Sequence, residues 1–82
     1  MTVYVSETRP CKFRRWREYA YLLADELAEL HGFAQSIGLE RRWSQDSQTH
    51  PHYDLFGSMI TKARGAGAVQ TTVREWLRGR VA

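Results

Sequence analysis

The chain has 82 residues and a net charge of +3, from 12 basic and 9 acidic side chains, and it contains one cysteine. This length fits one small domain, which we assign to residues 1–82, and a single cysteine excludes an internal disulfide and a four-cysteine metal site. The longest apolar run, Ala20 to Ala24, is far shorter than the ~20 residues that cross a bilayer, and no basic segment followed by an apolar core opens the chain. We therefore expect a cytoplasmic protein with no membrane partner.

The amino-terminal part predicts a strand followed by a basic loop. Residues 2–5 form a β-branched and aromatic run, which is typical of a strand. Arg9-Pro10 is expected to end this strand, because proline donates no backbone hydrogen bond. Residues 12–17 are basic with two aromatic side chains among them, and they predict a surface loop.

The next segment allows two interpretations. Apolar residues recur at alternating steps of four and three over residues 16–37, which predicts one long amphipathic helix. In the other interpretation residues 19–24 form a buried strand, and Asp25 caps a helix that runs to about residue 37. Both end at Gly38, which supplies a left-handed backbone position, and Leu39 supplies the hydrophobic contact that follows it.

The second half of the chain predicts short extended segments alternating with helices. A strand is predicted over residues 40–45, followed by a polar loop over residues 46–51. Residues 52–55 predict a short extended piece or a turn. The later elements are a helix over residues 58–66 with Ser58 as N-cap and Gly67 as its end, a strand over residues 68–71, and a terminal helix opened by a capping box from Thr72 to Glu75.

Residues 50–54, with the sequence HPHYD, carry the densest group of chemically active side chains. Histidine titrates near neutral pH and a carboxylate can orient its ring, so His52 and Asp54 predict a polar pair in a pocket. Alternate residues of an extended segment share a face, which would also bring His50 to the pair. Nothing elsewhere obviously supplies a further ligand, so we predict no metal and no cofactor. We expect His31 to lie at the boundary between core and surface with a hydrogen-bond partner, and Cys11 to be a free thiol.

Ten of the twelve basic residues are arginine, and most of these arginines lie with a tryptophan in one of three groups, residues 12–17, 41–43 and 74–80. Guanidinium groups neutralise phosphates, and exposed aromatic rings stack on bases. These three groups therefore suggest nucleic-acid binding as an alternative function. Glu7 and Arg9 come directly after the first predicted strand, where ligand-binding residues are common.

Taken together, these segments resemble the bacterial and phage family called domain of unknown function 4031. The resemblance covers residues 2 to about 76 and implies a fold without a reaction, since no activity is established for the family. It favours the strand that breaks at Asp25 over the long helix, and it implies a bacterial or phage origin. The matching pieces are Val3-Tyr4-Val5, Ala24-Asp25, Glu29-Leu30-His31, Phe33-Ala34, Ile37-Gly38-Leu39, Arg42-Trp43, Gln45, Pro51-His52-Tyr53-Asp54-Leu55 and Gly67-Ala68-Val69.

The sequence departs from the family pattern at polar positions. Where the family has two acids after the first strand, this chain has Ser6 and Glu7. A family histidine is replaced by Tyr21, and a Lys-Arg pair by Met59-Ile60. Because possible catalytic groups are missing, we predict binding ahead of catalysis.

We therefore predict an α/β domain, or a small α+β domain, with a short mixed sheet and two or three helices in two layers. Two helices are expected to cover one face. The predicted function is a pocket that binds a small anionic ligand such as a nucleotide, with His52 and Asp54 as acid–base pair and Glu7, Arg9, Gln45 and Tyr53 as ligand-binding residues. The alternative is a protein that binds a host protein or nucleic acid through its Arg/Trp surface. A third possibility is a module that works as a homo-oligomer, because so small a core is thin.

Overall fold

The computed structural model describes residues 2–10, 18–45 and 50–81. The predicted basic loop, Cys11, and positions 46–49 of the predicted polar loop lie outside the described residues. The strands are β1 (Val3–Val5), β2 (Arg9–Pro10), β3 (Glu18–Ala24), β4 (Ser44–Gln45), β5 (His52–Phe56) and β6 (Val69–Gln70). The helices are α1 (Leu27–Ser36), α2 (Ser58–Gly65), α3 (Val73–Val81) and a short 3₁₀ helix, Arg41–Trp43.

Within these residues the six strands form one mixed sheet, as predicted for a small α+β domain. Its order is β4-β5-β3-β1-β6, and β2 pairs with the beginning of β3. The β1–β6 pair is parallel and the other pairs are antiparallel. The long central strand β3 therefore joins the amino-terminal strands β1 and β2 to β5 from the second half of the chain.

Residues 19–24 belong to a strand, so the interpretation as one long helix is wrong. Leu22 packs into the core on one face of the sheet, and Leu23 packs with Trp76 on the other. A strand that is buried on both faces has a continuous apolar sequence, and such a sequence also fits a helical repeat. The helix begins at Leu27, and Asp25 does not cap it: its carboxylate accepts a hydrogen bond from the Tyr4 hydroxyl at 3.2 Å.

The main core lies between one face of the sheet and the helices α1 and α2, which confirms that two helices cover one face. Alternate residues of β3 and β5 point into it, and Leu30 and Ala34 of α1 meet them with Ile60 and Ala63 of α2. Gly38 ends α1 with a φ of 95°, and the Leu39 amide donates to the Ala34 carbonyl at 2.9 Å. The predicted helix end is therefore confirmed.

Helix α3 packs on the opposite face, where it covers only one end of the sheet. Trp76 is 5% exposed and lies with Val73 against Leu23. The Glu75 amide donates to the Thr72 hydroxyl at 3.1 Å, which is the amino-terminal half of the predicted capping box. The part of this face formed by β2, β3 and β5 carries the candidate site.

Several predicted boundaries differ from the structure. The first strand ends at Val5, and Arg9–Pro10 forms a strand of its own instead of a break. The reason is Ser6, whose hydroxyl accepts the Tyr21 amide at 2.8 Å while its own amide donates to the Tyr21 carbonyl at 2.9 Å, so the chain continues along β3 beyond a short interruption.

Two further boundaries shift within the second half of the chain. Only residues 44–45 of the predicted strand 40–45 are extended, because the chain first makes the 3₁₀ turn. Ser58 is the first residue of α2, and its N-cap is Gly57, whose φ is 52°. Gly67, with a φ of 108°, follows α2 as predicted, although the helix itself ends at Gly65. No helix among the described residues has the length and apolar character of a bilayer span.

Candidate functional site

The candidate site lies on the sheet face opposite α1 and α2, next to the area covered by α3, and Tyr21 packs against the cluster that α3 forms with Leu23. Antiparallel pairing places Tyr19 beside both Arg9 and Phe56, and places Tyr21 beside Asp54. Paired residues and residues two apart along a strand point to the same face. This face therefore collects aromatic and charged side chains from three strands, which we call the open face: Arg9, Tyr19, Tyr21, His52, Asp54 and Phe56.

His52 is held between a carbonyl and a carboxylate. Its Nδ1 lies 2.8 Å from the His50 carbonyl, and because a carbonyl only accepts, Nδ1 carries a proton. Its Nε2 lies 3.5 Å from Asp54 Oδ1, a position that suits a second proton. Burial alone lowers the pKa of His52, but the hydrogen bonds to Asp54 and to the His50 carbonyl outweigh it and raise the pKa above 6.5. The arrangement favours an imidazolium whose two N–H groups face partners within the protein and whose positive charge can attract an anion.

The neighbouring His50 responds to pH in the opposite direction. Its ring is stacked on that of His52, with centroids 5.2 Å apart and planes at 15°. Burial lowers the pKa of His50, and the positive charges of His52 and Arg9 lower it further. Of the two stacked rings, His52 therefore takes up a proton first as the pH falls.

Tyr21 lies at the centre of the open face. Its ring centroid is 4.1 Å from that of His52, and the Arg9 guanidinium carbon lies 5.7 Å from the same ring, within cation–π range. Burial raises the pKa of Tyr21, and the adjoining Tyr19 raises it further. The ring centroid of Tyr19 in turn lies 6.2 Å from that of Phe56, so aromatic rings form a row across neighbouring strands of the sheet. Arg9 and His52 thus border a single ring.

Glu7 points toward Arg9 but is held by helix α3. One carboxylate oxygen lies 3.8 Å from the Arg9 guanidinium, and the other accepts the Val73 amide at 3.2 Å. A carboxylate in this position neutralises the partial positive charge of a helix amino terminus. The structure therefore gives Glu7 two partners within the protein.

Gln45 pairs with His52 in the register of β4 and β5, so both side chains are on the open face. Strand β4 begins only at Ser44, and a groove of about 600 Å³ opens along β5 beside the residues that precede β4. Trp43 and Phe56 line this groove together with Gln45 and Asp54. Asp54 therefore both pairs with His52 and lines the groove.

Tyr53 is not brought to the open face. It lies between His52 and Asp54 in a strand, so its side chain points to the opposite face, where it is 0% exposed. Its hydroxyl lies 2.6 Å from Nδ1 of His31. This contact confirms that His31 has a hydrogen-bond partner, and it places Tyr53 in the core under α1.

Sequence reasoning missed the aromatic members of the open face. Tyr19, Tyr21 and Phe56 were not predicted as site residues, although Phe56 follows Asp54 at the same two-residue step that joins His52 to Asp54. Tyr19 and Tyr21 alternate within a segment whose strand character was ambiguous. Among the described residues no group of three or more His, Cys, Asp or Glu side chains is placed to hold a metal ion.

A comparison with models of protein families identifies the family of this chain. The model described as protein of unknown function (DUF4031) matches residues 3–82. The chain belongs to this family. No curated protein and no solved structure gives a significant match.

The structure also shows where the residues lie for which the family resemblance implied other residue types. Tyr21, in place of the expected family histidine, has its ring against His52. Ser6 is buried and completes the hydrogen bonding of β3. Of the pair that replaces Lys-Arg, Ile60 lies in the core and Met59 lines the groove. Tyr21 and Met59 therefore lie at the candidate site, whereas Ser6 and Ile60 are buried.

Proposed function

We propose that the open face binds a small anionic ligand of the nucleotide class. Arg9 holds the anion, and the His52 imidazolium, whose two N–H groups face the His50 carbonyl and Asp54, adds a second positive charge beside it. The observation that carries the proposal is that both cationic groups border the Tyr21 ring, at 5.7 Å and 4.1 Å. Arginine binds phosphate oxygens through a planar set of donors, and charge-assisted hydrogen bonds are the strong ones.

Asp54 positions His52 and favours its protonated form. Its carboxylate lies 3.5 Å from Nε2, and the hydrogen bond contributes to the raised pKa of His52. The same pair can give or take a proton in a reaction, as an acid–base pair does. We place binding ahead of catalysis because the chain lacks polar residues that the family pattern carries, at Tyr21 and at Met59-Ile60.

The test is a titration of the protein with adenosine 5′-monophosphate by calorimetry. His52→Ala and Arg9→Ala should each weaken binding about tenfold or more, because each removes a positive charge beside the anion and Arg9→Ala also removes a charge-assisted hydrogen bond. Arg78→Ala is the matched control, since it removes an equal charge from an exposed position on α3. Unchanged affinity in both site variants, or no binding by the unaltered protein, would contradict the proposal.

A second candidate function is the binding of a nucleic acid or a host protein through arginine and tryptophan. The observation that favours it is Trp43, which is 46% exposed beside the exposed Arg41 and Arg42. Trp76 is buried and does not contribute, and Trp16 lies outside the described residues. Affinity for a single-stranded oligonucleotide should then fall steeply as salt rises. Affinity that does not change with salt would remove the nucleic-acid branch.

We also propose that the protein works in the cytoplasm, of a bacterium or of a phage host. Self-association stays a prediction from the small size of the domain. Light scattering over a range of concentrations measures it, and a constant monomer mass would refute it.

A further inference from the structure

We infer that the groove along β5 receives the aromatic base of the ligand, so that the ligand is a nucleotide and not a simple phosphate ester. This inference rests on the proposed function, because it assumes that the phosphate lies between Arg9 and His52. The groove has a volume of about 600 Å³, which is within the ~300–1,000 Å³ usual for small-molecule sites.

The walls of the groove suit a flat apolar ring. Leu39, Phe56 and Met59 line it, and Trp43 presents an indole that is 46% exposed. An exposed indole leaves apolar surface in contact with water, and a stacked base would cover that surface. Stacking on aromatic side chains is also the sequence-tolerant way in which proteins bind nucleobases.

The polar atoms of the groove suit the edge of a base. The Gln45 amide both donates and accepts, and the Asp54 carboxylate accepts. Nucleobase edges combine amino donors with ring-nitrogen or carbonyl acceptors, so these two side chains complement them. A plain sugar phosphate has no such edge and leaves the groove empty.

The distance between the groove and Arg9 matches the distance between the base and the phosphate of a mononucleotide. Arg9 pairs with Tyr19, and Tyr19 pairs with Phe56 on the next strand. Two strand spacings separate Arg9 from Phe56, which is about 10 Å. Asp54 joins the two regions, since it contacts His52 and also lines the groove. A mononucleotide with its phosphate at Arg9 spans this distance with its base against Phe56, in the groove that Trp43 also lines.

The experiment compares adenosine 5′-monophosphate with ribose 5-phosphate, which carries the phosphate and sugar without the base. The unaltered protein should bind the nucleotide at least about tenfold more tightly, a difference typical of one stacked base. Trp43→Ala should remove this preference, and Trp43→Phe should retain most of it. Leu27→Ala is the control, because Leu27 is an apolar side chain on α1 with a similar exposure of 49%.

The outcomes separate the inference from the proposed function. Equal binding of the two ligands, with both lost in Arg9→Ala, would overturn the base groove and leave the anion site standing. A nucleotide preference that survives Trp43→Ala would place the base elsewhere and also overturn it. If neither ligand binds, the proposed function fails and the inference fails with it. Loss of the preference in Trp43→Ala alone would support the groove.

Discussion

The ring of Tyr21 lies 4.1 Å from the ring of His52, centroid to centroid, with the two planes tilted by 39°. These residues are not direct strand partners, since Tyr21 pairs with Asp54. The imidazole is consequently enclosed by an aromatic ring on one side and a carboxylate on another. Burial and ion pairing act on His52 in opposite directions, and the carboxylate decides the result.

The first prediction concerns the titration of the two stacked histidines. His52 should titrate above 6.5 and His50 below it, because Asp54 stabilises the charge of the former while burial and the charge of His52 oppose that of the latter. Asp54→Asn should lower the pKa of His52. Histidine chemical shifts followed by NMR over pH measure all three values.

The same shifts predict how stability depends on pH. His52 binds its proton more tightly when folded, so its contribution is fully present below about pH 6.5 and is lost as the pH rises through its raised pKa. His50 acts in the reverse sense, and its contribution is lost as the pH falls from 6.5 through its lowered pKa. If His52 titrated below His50 in NMR, the assigned role of Asp54 would be wrong.

The second prediction concerns Glu7, which we expect to stabilise helix α3. Glu7→Ala should lower the free energy of unfolding by about 1 kcal/mol, because the Val73 amide loses its acceptor at the helix amino terminus. Glu7→Gln should cost less, since its amide oxygen still accepts that hydrogen bond. Urea denaturation measures both variants. Equal stability of Glu7→Ala and the unaltered protein would show that this contact contributes nothing.

The third prediction separates Tyr53 from the ligand site. Tyr53→Phe removes a fully buried hydroxyl that lies 2.6 Å from His31, so it should cost about 1–2 kcal/mol of stability. Affinity for the nucleotide should not change, because the side chain is on the covered face. Denaturant unfolding and calorimetry on the same variant make the comparison. Weaker ligand binding at full stability would restore Tyr53 as a ligand-binding residue.

The fourth prediction concerns the end of α1. Gly38→Ala should destabilise the protein by about 1–2 kcal/mol, because the φ of 95° is unfavourable for a residue with a Cβ atom. Gly32→Ala is the matched control, since Gly32 lies within α1 and no atom lies within 4 Å of an added Cβ. That change should stabilise the helix by about 0.5–1 kcal/mol. Thermal unfolding of the two variants should therefore shift in opposite directions.

Part of the candidate site follows from the sequence by strand geometry. His52 and Asp54 are two residues apart in an extended segment, so they share a face wherever that strand lies. The same alternation means that Tyr53 cannot share it, and the sequence-based assignment of all three to one pocket overlooked this consequence. Which of the two faces is covered depends on helices α1 and α2, which pack on the side of Tyr53.

Other parts of the site depend on pairings between distant segments. Arg9 was expected at the end of a strand, yet it is near Tyr21 because β2 forms its own ladder with β3. Glu7 is held by Val73, which is 66 residues away in the chain. Such contacts are set by the register of long-range pairs, and that register follows from burying one face of each strand.

Local features of this protein were predictable from its residues: the glycine that ends α1, the threonine that caps α3, the shared face of His52 and Asp54, and membership of the family. Each of these depends on backbone preferences over a few residues or on their order along the chain. The apolar pattern of residues 19–24 fits a helix or a strand, and the family resemblance favoured the strand that the fold confirms. The meeting of Arg9, Tyr21 and His52 on one face was not predictable, because it requires β2, β3 and β5 from distant parts of the chain to pair in one register.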